Sequence, residues 1–167
     1  MTDRCRILVV SDSHGKNWFL REAVQKEQPF DMLIHCGDVE GNIYSILGTD
    51  TPYEIHTVRG NCDYSGYSDE LLLNVCGHRI FVTHGHMYRV RYDNAMILRE
   101  AAKRSADIVC FGHSHIPEIE YSHGRLLLNP GSIAEPRQNG RKHTYAILTV
   151  EKNKIPRADI HVITPGE

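Results

Sequence analysis

Apolar residues in this chain collect into short runs, and a polar cluster follows each run with the same regularity. Ile7–Val10 is apolar at every position and contains two valines, the pattern of a strand covered on both faces, since a half-exposed strand alternates apolar with polar residues. Asp31–His35, Tyr53–Val58, Arg79–Thr83 and Asp107–Phe111 repeat that strand-like texture. Between the first two, Trp18, Leu20, Ala23 and Val24 recur at helical intervals over Asn17–Gln28, and Pro29 closes the segment. Asn42–Leu47 predicts a short helix ended by Gly48, and Tyr92–Arg104 a longer one with Ala95, Leu98 and Ala102 on one face. Leu71–Val75 and Arg79–Thr83, separated by Cys76-Gly77-His78, read as a hairpin.

Beyond His115 the texture changes. Pro117–Tyr121, Arg125–Leu128, Thr144–Val150 and Arg157–Ile163 alternate with turns at Ser122-His123-Gly124 and Lys152-Asn153-Lys154, which predicts an antiparallel half-sheet. Alternating βα units followed by hairpins predict an α/β fold, a two-sheet mixed β-sandwich flanked by helices. The 167 residues read as one domain over 1–167, a size that buries roughly two-thirds of its unfolded surface.

Composition narrows the function classes. Hydrophobic residues at 41% and charged residues at 24% are those of a soluble globular protein. A formal net charge of −2 offers no general attraction to nucleic acid or an anionic membrane. No long basic groove or aromatic stacking platform is evident, so a nuclease is unsupported, while a small nucleotide diester stays open as a substrate. The N-terminal apolar run stops at Ser11, too short for a signal peptide or membrane span. Five cysteines without C-x-x-C spacing argue against a disulfide framework and a zinc ribbon, and a reducing cytoplasmic location is expected. Exposed edges in the antiparallel half would allow a homodimer.

Eleven histidines are a surplus for this length and make metal binding the first hypothesis. Seven candidate ligands lie where strand-like runs end: Asp12 and His14, Asp38, Asn61, His84, and the pair His113 and His115. In open α/β sheets, ligands bind where strand carboxyl ends converge, so clusters distant in sequence meet at one crevice. Carboxylate and amide oxygens mixed with imidazole nitrogens suit manganese, iron, zinc or nickel better than calcium or magnesium. A carboxylate such as Asp38 can bridge two cations, and a pair about 3.5–4 Å apart lowers the pKa of a shared water and clamps a phosphoryl group.

The ordered motifs Asp12-x-His14, Gly37-Asp38, Gly60-Asn61, His84-Gly85 and Gly112-His113-x-His115 resemble those of the calcineurin-like metallophosphoesterases over roughly residues 8 to 132. The segments Gly60-Asn61-Cys62-Asp63, Thr83-His84-Gly85-His86 and Asn129-Pro130-Gly131-Ser132 look like the small single-domain branch, which includes phosphodiesterases and the retromer scaffold subunit. The resemblance implies two divalent metal ions, manganese first, with nickel, zinc, iron and magnesium as alternatives. One would take Asp12, His14, Asp38 and His115, the other Asp38, Asn61, His84 and His113. It further implies in-line attack on phosphorus by a metal-bridging hydroxide, with Asn61 and His84 among the catalytic residues and a small phosphodiester as substrate. The alternative it implies is a non-catalytic metal-binding scaffold for other proteins.

Cys62 departs from the pattern, because many superfamily members carry histidine after the Gly-Asn pair, where it contacts phosphate or protonates the leaving group. A thiol ionised by neighbouring cations donates no proton, which favours good leaving groups and diesters. Asp63 has two readings, an orienting partner for Cys62 or a ligand, and a turn cap. His86 also has two, a residue lining the site and one supporting a ligand. Asn129–Ser132 is either a phosphate-side loop or a Pro-Gly turn, and Arg137 either attracts an anionic substrate or is solvated. His35, His56, His78, His123, His143 and His161 read as structural.

Overall fold

The computed structural model describes residues 2–64 and 66–165. In chain order the elements are β1 (Arg4–Val10), α1 (Asn17–Glu27), β2 (Met32–His35), α2 (Ile43–Leu47), β3 (Glu54–Thr57), β4 (Glu70–Val75) and β5 (His78–Thr83). A 3-10 turn at His86–Tyr88 precedes α3 (Ala95–Lys103), β6 (Ile108–Cys110), β7 (Pro117–Ser122), β8 (Arg125–Pro130), β9 (His143–Glu151) and β10 (Arg157–Ile163).

These strands form two mixed sheets, ordered β10-β9-β1-β2-β3 and β4-β5-β6-β8-β7. Strands β1, β2 and β3 run parallel in the first, and β5, β6 and β8 run parallel in the second. Their period-2 alternation explains the fully apolar runs. Ile7 and Val9 point between the sheets and pack with Ile34, Val82, Cys110 and Leu128, whereas Leu8 and Val10 point outward onto Leu20, Ala23 and Ile43 of the first two helices. The second sheet repeats the arrangement, with Phe81, Val109, Phe111 and Leu127 covered by Ile97 and Ala101 of α3. The layers are therefore helix, sheet, sheet, helix, as the strand pattern predicts.

Three local expectations change. The strands after His115 do not make one antiparallel half-sheet. The β7–β8 hairpin joins the second sheet with β8 parallel to β6, and the β9–β10 hairpin joins the first with β9 antiparallel to β1. Each hairpin satisfies its own backbone pairing, so either sheet can accept it, and only the apolar faces decide.

Helix α3 begins at Ala95, where Asp93 Oδ1 accepts the Ala95 N–H at 2.9 Å, and it buries Ile97 and Ala101 instead of Ala95 and Ala102. Trp18 on α1 is 46% exposed, and the buried face includes Glu27. Glu27 is buried because Tyr145 Oη donates to its Oε1, His161 Nδ1 lies 2.9 Å from the same oxygen, and Arg6 occupies its Oε2.

Candidate metal centre

Strands β1, β2 and β3 run parallel in one sheet and β5 and β6 in the other, and contacts between the sheets, His113 N–H to Asp12 Oδ2 and His84 Nδ1 to Cys36 O, bring their carboxyl ends to one edge of the sandwich. Backbone bonds continue the ladder past the strand ends. Asp12 N–H donates to Gly37 O at 3.0 Å and His14 N–H to Asp38 O at 2.9 Å, while Gly112 N–H donates to His84 O at 2.9 Å. Within these loops Asp12, His14, Asp38, His113 and His115 all adopt left-handed backbone conformations, with φ of 56°, 46°, 59°, 69° and 61°. For residues other than glycine this costs about 1 kcal/mol or more at each position, and such strain gathers at functional sites.

Two glycines let the loops close. A Cβ on Gly60 would strike Asp38 Oδ1, and one on Gly112 would strike Ser11 Oγ and crowd Asp12 Oδ2. Asp38 Oδ1 accepts the Cys62 N–H at 2.8 Å, and Asp12 Oδ2 accepts the Ser11 hydroxyl at 2.6 Å and the His113 N–H at 3.1 Å. One oxygen of each carboxylate is thus committed to the scaffold and the other faces inward.

The inward atoms converge. His115 Nε2 lies 3.1 Å and His84 Nε2 3.7 Å from Asp12 Oδ1, His84 Nε2 is 3.2 Å from Asp38 Oδ2, and His14 Nε2 is 3.7 Å from Asp12 Oδ1 and 3.8 Å from Asp38 Oδ2. The far nitrogens of the three rings are held from behind: His84 Nδ1 by Cys36 O at 2.7 Å, His115 Nδ1 by Glu135 O at 2.6 Å and His14 Nδ1 by Glu40 Oε1 at 2.8 Å. A ring that donates through Nδ1 presents a lone pair at Nε2, the arrangement that orients imidazole toward a metal.

Asp12 and His84 are fully buried, and Asp12 Oδ1 and His84 Nε2 have no hydrogen-bond partner. Burying such atoms unpaired costs several kcal/mol, and a divalent cation coordinated by both would remove the deficit. The donor triplets Asp12–His14–His115 and Asp12–Asp38–His84 each lie within coordinating reach of one ion, so the chemistry of the set fits divalent metal. Burial acts to raise the Asp38 carboxyl, yet His84, the Cys62 amide and His14 pull it well below the usual range. Burial likewise opposes ionisation of Asp12, and His115 and His84 outweigh it. Burial also works against a charged His84, while Asp38 and Asp12 act to raise its pKa.

The remaining candidates stand further out. The His113 ring is 5.2 Å, centroid to centroid, from His84, and burial followed by the charges of His84 and Arg91 lowers its pKa to about 4, which leaves it neutral near pH 7. Asn61 is exposed and its side-chain amide lies 3.6 Å from Cys62 Sγ. Burial and the carboxylates of Asp38 and Glu40 push the Cys62 thiol up to about 11, so in the metal-free protein it is protonated at neutral pH. The Cys62 sulfur nevertheless lies with His14 and Asp38 in a third group of potential donors.

Asp63 faces the scaffold. Its Oδ2 accepts the Asp38 and Gly60 N–H groups at 2.8 and 2.9 Å and its Oδ1 accepts the Glu40 N–H at 2.8 Å, so it organises two loops by capping their amides. Asn129 and Ser132 are likewise committed, Asn129 to Gly112 O at 3.1 Å and Ser132 to Asp12 O at 2.8 Å, which favours their structural reading. His86 packs with its ring 5.4 Å from His84, and its buried Nδ1 is unpartnered.

Glu40 escaped the sequence reading, and His35, read as structural, proves to be so at the site itself. Glu40, two residues after Asp38, holds His14. His35 is fully buried, lies 2.9 Å from Ser13 Oγ through Nε2, and accepts the Gly37 N–H at 3.1 Å through Nδ1, which ties the loops carrying Asp12 and Asp38 together.

No helix among the described residues is long and apolar enough to cross a membrane. In comparisons with known proteins, the model of the calcineurin-like phosphoesterase superfamily domain matches residues 5–153. The probable metallophosphoesterase YsnB of Bacillus subtilis is 41% identical over 149 residues, covering 88% of this chain and 85% of that protein. A crystal structure of a predicted phosphoesterase from Streptococcus pneumoniae superposes with a TM-score of 0.82 at 28% identity, over 99% of this chain and 96% of that one. Wild-type Vps29 of Entamoeba histolytica complexed with zinc shares the fold, with a TM-score of 0.79 at 21% identity over 97% of this chain and 94% of that one. A family model that spans most of the chain, joined by a relative of this similarity, establishes that the chain belongs to the calcineurin-like phosphoesterase superfamily.

Proposed function

We propose that this phosphoesterase hydrolyses small phosphodiesters with two divalent metal ions, manganese foremost, held by Asp12, His14, Asp38 and His115 on one side and by Asp38, Asn61, His84 and His113 on the other. The observation that carries the reading is the buried, partnerless pair Asp12 Oδ1 and His84 Nε2, with Asp38 Oδ2 beside them. When bound, such ions neutralise charge developing on the phosphoryl oxygens and acidify a water to a nucleophile near neutral pH.

The chain's residues supply the rest. Asp38 presents one oxygen inward while the Cys62 amide fixes the other, which suits it to bridge. His84 and His115 are oriented by backbone carbonyls and His14 by Glu40, so three ring nitrogens are aimed before substrate arrives. Cys62 stands at the rim in place of an imidazole acid. A thiol there is a poor proton donor, because Asp38 and Glu40 suppress its acidity without metal and neighbouring cations would ionise it, so esters with good leaving groups and diesters are favoured. Asp63 acts through the Asp38 loop as a positioning residue. Five cysteines, none bridged, support a reducing, cytoplasmic setting. The open edge strands β7 and β10 leave a homodimer available, which light scattering tests.

Metal-stripped protein reloaded with manganese, nickel, zinc or magnesium should cleave an aryl phosphodiester faster than its monoester. Asp38→Asn should lower the rate by about three orders of magnitude, since it removes several kcal/mol of charge stabilisation. Metal binding without turnover of either ester would overturn the enzyme reading in favour of a protein-interaction scaffold.

A further inference from the structure

One flank of the centre opens into a cleft of about 790 Å3 that shares Glu40, Cys62 and Asp63 with the ligand-bearing loops. Glu40 touches His14 and the Cys62 amide touches Asp38, so this end of the cleft abuts the donor cluster. The remaining walls include Tyr44, Ile55, Tyr67 and Leu71. Tyr67 is fixed, donating to Gly41 O at 2.6 Å and accepting the Ile43 N–H at 2.9 Å, while Tyr44 is 47% exposed. No lysine or arginine lines the cleft among the described residues, and its basic ring, His56, faces Glu54 at 3.1 Å. On the other flank, beside His115, a groove of about 400 Å3 is lined by Lys16, Arg137 and Arg141 together with Glu135.

Resting on the phosphodiesterase reading, we propose that the Tyr44–Tyr67 cleft binds an uncharged aromatic arm of the diester, of the nucleoside class, and discriminates against arms that carry a further phosphate. A planar group gains apolar and stacking contact with these tyrosines and Leu71. A second phosphate in the same place would face the Glu40 carboxylate, with no lysine or arginine among the described lining residues to pair it.

The test uses manganese-loaded full chain and p-nitrophenyl diesters that differ only in the second arm: methyl, thymidine-5′, and thymidine-5′ bearing a 3′-phosphate. The thymidine ester should exceed the methyl ester in kcat/KM by about ten-fold, mostly through KM, and the 3′-phosphate should erase the gain. Tyr44→Ala should abolish the thymidine-to-methyl ratio and Tyr44→Phe should retain it. Turnover of the methyl ester with no preference for thymidine, or an unchanged ratio in Tyr44→Ala, would overturn the cleft assignment and leave the hydrolase intact. If no ester turns over, calorimetric binding of thymidine 5′-monophosphate decides. Binding weakened about ten-fold by Tyr44→Ala supports the cleft on its own, and equal or absent binding overturns it.

Discussion

His35 Nε2 lies 2.9 Å from Ser13 Oγ inside the protein, between the loop that carries Asp12 and the loop that carries Asp38. Its Nδ1 accepts the Gly37 N–H, so Nε2 bears the proton and the ring is neutral. Removing the ring in His35→Ala strands an amide and a hydroxyl and opens a cavity. The expected loss is about 2–3 kcal/mol of metal-free stability, with metal affinity about ten-fold weaker, read by urea unfolding and calorimetry. Full affinity in the variant would show that the two loops hold their spacing without it.

The same residue predicts a pH dependence. Burial lowers the His35 pKa to about 4, against about 6.5 in an unfolded chain. Between these values the unfolded state binds the extra proton. Metal-free stability should therefore fall as pH drops from about 6.5 toward 4, and the slope should be shallower in His35→Gln, measured as urea midpoints across that window.

Cys62→His restores an imidazole where the thiol is held protonated. General acid catalysis contributes about a hundred-fold or more when the donor is well placed, so the ratio of monoester to diester turnover should rise by at least about ten-fold. Steady-state rates on the paired aryl esters measure it, and an unchanged ratio would mean that another feature sets the preference.

Gly60→Ala should expel metal without unfolding the protein. The added methyl group would overlap both Asp38 Oδ1 and the Asp38 backbone nitrogen, so the loop itself must shift and take the carboxylate away from the Cys62 amide. We expect a stability loss of about 1–3 kcal/mol and metal content well below one ion per chain, by elemental analysis after gel filtration. Two bound ions would refute this role for the glycine.

Glu27 supplies the contrast, being buried among Arg6, Tyr145 and His161 on the helix side of the first sheet. Burial raises its pKa, but bonds from Tyr145, His161 and Arg6 outweigh that and keep it ionised, so its contribution is present above the ordinary carboxylate pKa and lost as pH falls below it. Glu27→Gln should cost about 2–3 kcal/mol while kcat/KM of the folded protein stays within two-fold of wild type (about 0.4 kcal/mol). A larger change in kcat/KM would imply coupling between this buried network and the metal edge.

Strands were legible because both faces of each central strand are covered, which removes the polar positions that would blur their limits. The ends of those strands were legible for the same reason: each apolar run gives way within one to four residues to a polar cluster at the sheet edge, as at Asp12, Asp38 and His84. Which face of α3 is buried was not, because Ala95, Leu98 and Ala102 satisfy a helical stripe as well as Ile97 and Ala101 do, and docking on Phe81 and Phe111 decides. His35 and Glu40 act through partners 22 and 26 residues away, contacts that no local pattern encodes. The left-handed conformations at Asp12, His14, Asp38, His113 and His115 are equally invisible, since aspartate and histidine adopt a positive φ more often than most residues but still only in a minority of cases.

The return of β9 beside β1 has a consequence for the order of assembly. Arg4 pairs with Glu151 and Val9 with Ala146, and Ser132 grips the Asp12 carbonyl, so the first of the candidate ligands along the chain is held by residues more than a hundred positions later. Closing so long a loop is slow compared with forming the local β4–β5 hairpin. Until residues 132–151 arrive, Asp12 has its β2-side contacts but lacks the strand that locks β1 from the other side. The edge at which the donor residues gather is therefore complete only when the C-terminal part of the described chain has docked on β1.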